Sequence, residues 1–261
     1  MNALAARRRH PAAIAILLLL GLVAVGGAYS LFAPKQAEAA VASADNVSAG
    51  KSLFLANCAT CHGLNAQGTA SGPTLVGVGA ASVDFQVGTG RMPLAGPGIQ
   101  AARQDEIKFS PEEIQNMAAW VATLGPGPAI PGSEYTSGEG ANTALGGELF
   151  RVNCAMCHNY AGSGGALTRG KYAPSLTGST GTHIYEAMVT GPQSMPVFSD
   201  ANITPEGKNA IISYLKTTQE EQQVGGMTLG NLGPVSEGMF VWIFGLGLML
   251  GCAVWLGQKA A

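Results

Sequence analysis

Five residues, Cys-Ala-Thr-Cys-His, occupy positions 58–62, and Cys-Ala-Met-Cys-His returns 96 residues later at 154–158. Any fold of this chain must therefore bring two thiols and an imidazole together, twice. The pattern around the motifs recurs as well. Gly50, Phe54 and Asn57 answer to Gly146, Phe150 and Asn153 at the same offset. Further on, Pro73-Thr74-Leu75 answers Pro174-Ser175-Leu176, Thr89-Gly90-Arg91-Met92-Pro93 answers the segment from Thr190 to Pro196, and Ser110-Pro111-Glu112 answers Thr204-Pro205-Glu206. The chain is a tandem duplication, and the duplication sets the domain count.

The chemistry of the motif follows from its spacing. Two cysteines three residues apart at a helix end can each form a thioether with one vinyl group on the same edge of a haem, and the adjacent histidine then faces the iron. Zinc asks for four ligands, whereas each unit has two cysteines and one neighbouring histidine. A redox Cys-x-x-Cys pair asks for a βαβ setting, which the sequence lacks. We therefore expect Cys58 and Cys61 to attach one c-type haem, Cys154 and Cys157 a second, and His62 and His158 to be the proximal iron ligands.

A ligating imidazole needs an acceptor for its other ring nitrogen. The backbone carbonyls of Pro73 and Pro174 are the candidates. The sixth ligands are expected to be Met92 and Met195, because the same residue recurs in the same Thr-Gly…Met-Pro loop of both units. Met117 reads as helix core, Met156 sits inside its motif, and Met188 lies on a helix. His183, a bis-histidine alternative for the second iron, reads as a surface residue early in the middle helix. Histidine/methionine ligation raises the haem potential. It also fills both axial positions, which favours electron transfer over catalysis.

Each unit reads as a helix entering the motif, a Gly-rich loop, a middle helix, a Met-Pro loop and a final helix. Ser110-Pro111-Glu112 and Thr204-Pro205-Glu206 are helix starts: hydroxyl N-cap, proline in the first turn, acid near the positive end. The helix after Ser110 places Ile114, Met117, Trp120 and Val121 on one face. Phe54 and Phe150 should pack on the final helices, near Trp120 and Tyr214. Glycine, 37 of 261 residues, suits compact loop-rich domains. A net charge of −2 with 11% charged residues provides no field for nucleic acid.

The ends of the chain point to a membrane. Arg7, Arg8 and Arg9 precede an apolar stretch at residues 12–32, an export signal. Two fates fit: cleavage after Ala37-Glu38-Ala39, or retention as an anchor, since about twenty apolar residues span a bilayer. Residues 239–257 carry no charge, with Trp242 and Trp255 near the ends, and read as a transmembrane helix. Cys252 within it reads as a packing residue. The expected organisation is a signal or anchor at 1–39, domain one at 45–125, a Gly/Pro-rich linker at 126–143, domain two at 144–218, a second linker at 219–238 and the membrane helix. The first linker, about twenty residues, is long enough to hold two haems apart if extended. Electron exchange therefore requires the domains to dock. Both should lie on the extracytoplasmic side of the cell membrane, with the C-terminus cytoplasmic.

Each unit resembles a class I cytochrome c domain over about 80 residues, which makes the fold all-α. The whole arrangement resembles the dihaem cytochrome c subunit (cytochrome cc) of the actinobacterial cytochrome bc1 complex, a menaquinol–cytochrome c reductase. That resemblance implies cytochrome b and a Rieske iron–sulfur protein as partners. It also implies a terminal haem–copper oxidase as electron acceptor, joined in a supercomplex, and a role as a non-catalytic subunit of the reductase. Competing readings are the dihaem subunit of a cbb3-type oxidase, an acceptor cytochrome of a periplasmic dehydrogenase, a dihaem peroxidase and a haem-based sensor. An N-terminal anchor alone would suit the first, matched methionine ligands count against the peroxidase, and no signalling domain accompanies the haem motifs.

Overall fold

The computed structural model describes residues 11–32, 43–94, 96, 98–220 and 234–259. Arg7–Arg9, the Ala37–Ala39 site and most of the second linker lie outside the described residues. Helix α1, Pro11–Phe32, belongs to a compact unit covering residues 1–38, and everything from residue 39 onward forms another. Among the described residues one helix is long and apolar enough to cross a membrane, Val235–Lys259; the apolar stretch Ala12–Ala28 of α1 is shorter.

The first domain consists of α2 (Ala44–Asn57), α3 (Ala59–His62), α4 (Ala80–Gly88) and α5 (Pro111–Ala122). Ser43 caps α2 by accepting the Asn46 N–H at 3.2 Å. A capping box opens α5. Ser110 Oγ accepts the Glu113 N–H at 3.3 Å, and the Glu113 carboxylate accepts the Ser110 N–H at 2.8 Å. Two of the orphan donors of a helix start are thereby satisfied. The residue that closes this box is Glu113, one position beyond the acid that the sequence pattern singled out.

Helices α2 and α5 cross where Gly50 stands. A Cβ there would overlap the Asn116 carbonyl oxygen, so the close approach of two backbones requires glycine. One turn later Phe54 is buried against Trp120, ring centroids 4.4 Å apart. Burying such a ring stabilises by about 2–3 kcal/mol. Ile114, Met117 and Val121 complete the buried face of α5.

The second domain repeats this plan with α6 (Thr143–Asn153), α7 (Ala155–His158), α8 (Gly181–Thr190) and α9 (Pro205–Glu220). Asn142 caps α6 by accepting the Leu145 N–H at 3.1 Å. Gly146 lies under the Ala210 carbonyl as Gly50 lies under that of Asn116. Phe150 packs on Tyr214 at 5.5 Å. One element was not expected: a two-stranded antiparallel hairpin, β1 (Gly165–Ala166) with β2 (Tyr172–Ala173), pairing Gly165 with Ala173 and Ala166 with Tyr172. Lys208 is fully buried, its ammonium 2.6 Å from Asp200 Oδ1 and 2.8 Å from the Ile203 carbonyl. It ties α9 to the loop that follows Met195.

The linker is held along its length. The Ala81 N–H donates to the Pro128 carbonyl at 3.1 Å, and Gly127 lies against Gly79. Asn209 binds the Glu134 carbonyl within a 3₁₀ turn at Ser133–Tyr135 and the Gly138 N–H beyond it, while Lys216 reaches the Ser137 carbonyl. Polyproline stiffness and glycine joints describe this segment in isolation. In the folded chain its polar backbone groups are bound by both domains.

The domains dock. Gln100 pairs with the backbone of Tyr172, donating to its carbonyl at 2.7 Å and accepting its N–H at 2.9 Å. Gln193 does the same to Ala101, at 2.9 Å and 3.0 Å. Arg103 adds contacts to Ser179 Oγ and the Gly178 carbonyl. The final helix, α10, runs Pro234–Lys259.

Candidate cofactor sites at the two Cys-x-x-Cys-His turns

In both units the motif begins where the entering helix ends. The Cys58 N–H closes the last turn of α2 on the Phe54 carbonyl, and Cys154 does so on Phe150, each at 2.8 Å. The chain then re-enters a single helical turn, α3 or α7, that ends on the histidine. The phenylalanine that anchors the helix crossing thus fixes the height of the first cysteine.

Both imidazoles are oriented by the same acceptor. His62 Nδ1 lies 2.7 Å from the Pro73 carbonyl oxygen, and His158 Nδ1 lies 3.0 Å from that of Pro174. With Nδ1 carrying the proton toward the carbonyl, Nε2 keeps a free lone pair, the state a metal ligand needs. Burial lowers the pKa of His158, partly countered by its bond to Pro174, so its ring stays neutral.

The second domain gathers its candidate residues around one cavity of about 290 Å³. Cys154, Cys157, His158, Met195 and Phe198 line it together with Ile184, Met188 and Leu215. Met195 packs against the same apolar cluster as Cys154. Its loop is braced: the Met195 N–H donates to the Pro192 carbonyl at 3.1 Å, and Lys171 holds Ser194 at 2.9 Å. In the first domain Met92 and Cys58 pack on one apolar cluster with Leu53 and Val83. Met92 also borders a recess of about 410 Å³ with Gln104 and Lys108. Met117 is buried in the helix core and Met156 is 91% exposed, so neither competes as a ligand.

Cys58 and Cys154 are poor candidates for thiol redox work. Burial, then the neighbouring Cys157, pushes the Cys154 thiol up to about 12, and burial with Cys61 raises Cys58. A reactive Cys-x-x-Cys pair needs a depressed pKa instead. Cys58 and Cys154 pack against the apolar clusters, Cys61 and Cys157 are exposed, and this placement fits covalent attachment of an apolar macrocycle along the motif.

Sequence reading missed the wall supplied by the other domain. Phe85, Thr89, Arg91, Gln100 and Arg103 of the first domain border the second domain's cavity. His183 is also not the surface residue that its place in α8 suggested. It packs edge-on to Phe85 at 6.2 Å, 3.9 Å from Asp84, inside the domain interface. Beside it Glu186 is fully buried, and neither carboxyl oxygen makes a hydrogen bond of normal geometry. Burial, followed by the charge of Asp84, pushes its pKa up to about 10.

Residues 47–125 match the family model described as Cytochrome c, and residues 141–215 match that described as Cytochrome C oxidase, cbb3-type, subunit III. Nearly the whole chain is similar to proteins named cytochrome bc1 complex cytochrome c subunit. It is 43% identical over 254 residues to that of Mycobacterium leprae, covering 94% of this chain and 87% of the relative. The identity is 44% over 253 residues with that of Mycobacterium tuberculosis, covering 94% and 90%. With that of Corynebacterium diphtheriae it is 41% over 270 residues, covering 97% and 95%. Two cytochrome c domains in such a chain mean two covalently bound haem c groups.

Proposed function

The chain belongs to the family of cytochrome bc1 complex cytochrome c subunits, and on that premise we propose that it passes electrons from a Rieske iron–sulfur protein to a terminal haem–copper oxidase. In this reading Cys58 and Cys61 hold one haem by thioethers, with His62 and Met92 on its iron. Cys154 and Cys157 hold the other, with His158 and Met195. Each bound haem supplies a reversible one-electron iron couple. His62 with Met92, and His158 with Met195, would supply two protein ligands to each iron, a set that favours electron transfer over peroxide or oxygen chemistry. Pro73 and Pro174 fix the imidazole tautomers.

The observation that carries the relay is the docked interface. The first domain supplies part of the second domain's cavity wall, so an electron crosses between domains without either being released. The apolar helix Val235–Lys259 fits a membrane anchor, with the domains on the extracytoplasmic face and the C-terminus in the cytoplasm. The match of residues 141–215 to the cbb3-type model is confined to one domain. The bc1 relatives match from end to end.

The test is purification of the tagged chain from its own membranes without crosslinking. Cytochrome b and a Rieske protein should accompany it, with an oxidase in the mildest detergent. Recovery with neither reductase subunit would refute the reading.

A further inference from the structure

The second domain's cavity has an unexplained charge. Of its lining residues, the side chains that are charged at neutral pH are Arg91 and Arg103, and both come from the first domain. No aspartate or glutamate lines it. Arg91 is only 7% exposed, yet among the described residues it makes no ion pair; its guanidinium stacks over Phe85 at 4.8 Å. Among the described residues Arg103 binds neutral oxygens, Ser179 Oγ at 3.3 Å and the Gly178 carbonyl at 3.4 Å. Two like charges facing one cavity repel, and a buried guanidinium without an anion is costly. A site built this way is complementary to two negative charges, and planar guanidinium forks match carboxylates in particular.

Taking the cavity as the seat of the second haem, we propose that Arg91 and Arg103 are counter-ions supplied across the domain interface to its two propionate carboxylates. The number of charges matches, and the apolar remainder of the wall suits the macrocycle. Both guanidiniums are positioned from the first domain: Arg91 stands one residue before Met92, and Arg103 sits three residues after the Gln100 clamp. The second domain's site is therefore complete only when the domains are docked, and the first domain helps to set the second haem's potential.

Positive charge beside a haem favours the reduced state, so its removal should lower the potential. We would replace Arg103 with Gln and with Lys in the full chain in detergent, and titrate each haem by its visible spectrum. Arg103→Gln should cut the second haem's reduced-to-oxidised ratio about tenfold at fixed ambient potential, the effect of roughly one charge at an effective dielectric near 20. Arg103→Lys should largely restore it. Redox-difference infrared spectra with haem labelled by ¹³C at the propionate carboxyls should show the labelled bands moved in Arg103→Gln. Unmoved bands and an unmoved potential, in a chain carrying two haems with its linker protected from protease, would overturn the proposal alone. A wild-type chain with fewer than two haems c by pyridine haemochrome would overturn the reading beneath it as well.

Discussion

Glu186 allows a quantitative prediction. Its side chain is fully buried in the interface, with Asp84 and His183 offering ligand atoms within 4.8 Å but no hydrogen bond of normal geometry to its oxygens. Its pKa is raised to about 10 from the ordinary carboxylate value of 4.5. Between those values the folded chain keeps a proton that the unfolded chain releases. Folding then takes up a proton, so stability falls as pH rises, by about 1.4 kcal/mol per pH unit. The contribution is favourable or neutral below the unfolded pKa and is progressively lost upward. Glu186→Gln keeps the shape and removes the titration. Between about pH 5.5 and about pH 7.5 the stability difference between variant and wild type should therefore grow by about 2.7 kcal/mol in the variant's favour. Guanidinium unfolding of both proteins at several pH values, followed by circular dichroism, measures this. Taking the difference cancels every group that titrates alike in the two. If the two stability curves ran parallel across this range, Glu186 would be ionised in the folded protein, and the argument from burial would fail.

Gly50→Ala and Gly146→Ala should each destabilise by about 3 kcal/mol, the upper end of overpacking costs, because the obstructing atoms are backbone carbonyls that cannot rotate away. Denaturant midpoints measure it; the ordinary helix gain of alanine over glycine, about 1 kcal/mol in the other direction, would contradict the close crossing. Gln100→Ala together with Gln193→Ala removes four cross-domain hydrogen bonds, each worth about 1 kcal/mol. The linker at residues 126–143 should become sensitive to protease while each domain keeps its helical circular dichroism. Continued protection would mean that the docking rests elsewhere.

The parts legible in the sequence are those governed by short-range rules. Cysteine and histidine spacing is dictated by the reaction that it serves, so the motifs could be read directly. Hydroxyl caps, first-turn prolines and the repeated Gly-Phe step likewise placed the helices that frame each site. The rest depends on which surfaces meet. Nothing local distinguishes His183 from an exposed helical histidine; only the approach of α4 buries it. Arg91 reads as a loop residue beside Met92 until the second domain closes over it. Lys208 lies in a polar-looking turn of α9, and its burial depends on Asp200 and Ile203 folding back. The hairpin at residues 165–173 is too short for period-two patterning to reveal, and the linker's fixity comes from partners on both sides.

The glutamine clamps have a consequence for the kinetics of the whole respiratory segment. A diffusing electron shuttle finds its partner by surface charge, so its delivery slows as protein is diluted or salt is added. Here the two domains belong to one polypeptide, and the paired glutamine clamps hold them together. In the proposed relay, transfer across this joint would be first order, its rate the same in a sparse membrane as in a crowded one. If the relay runs as proposed, the cell gives up a pool of carriers that several enzymes could share and gains a connection that cannot be diverted.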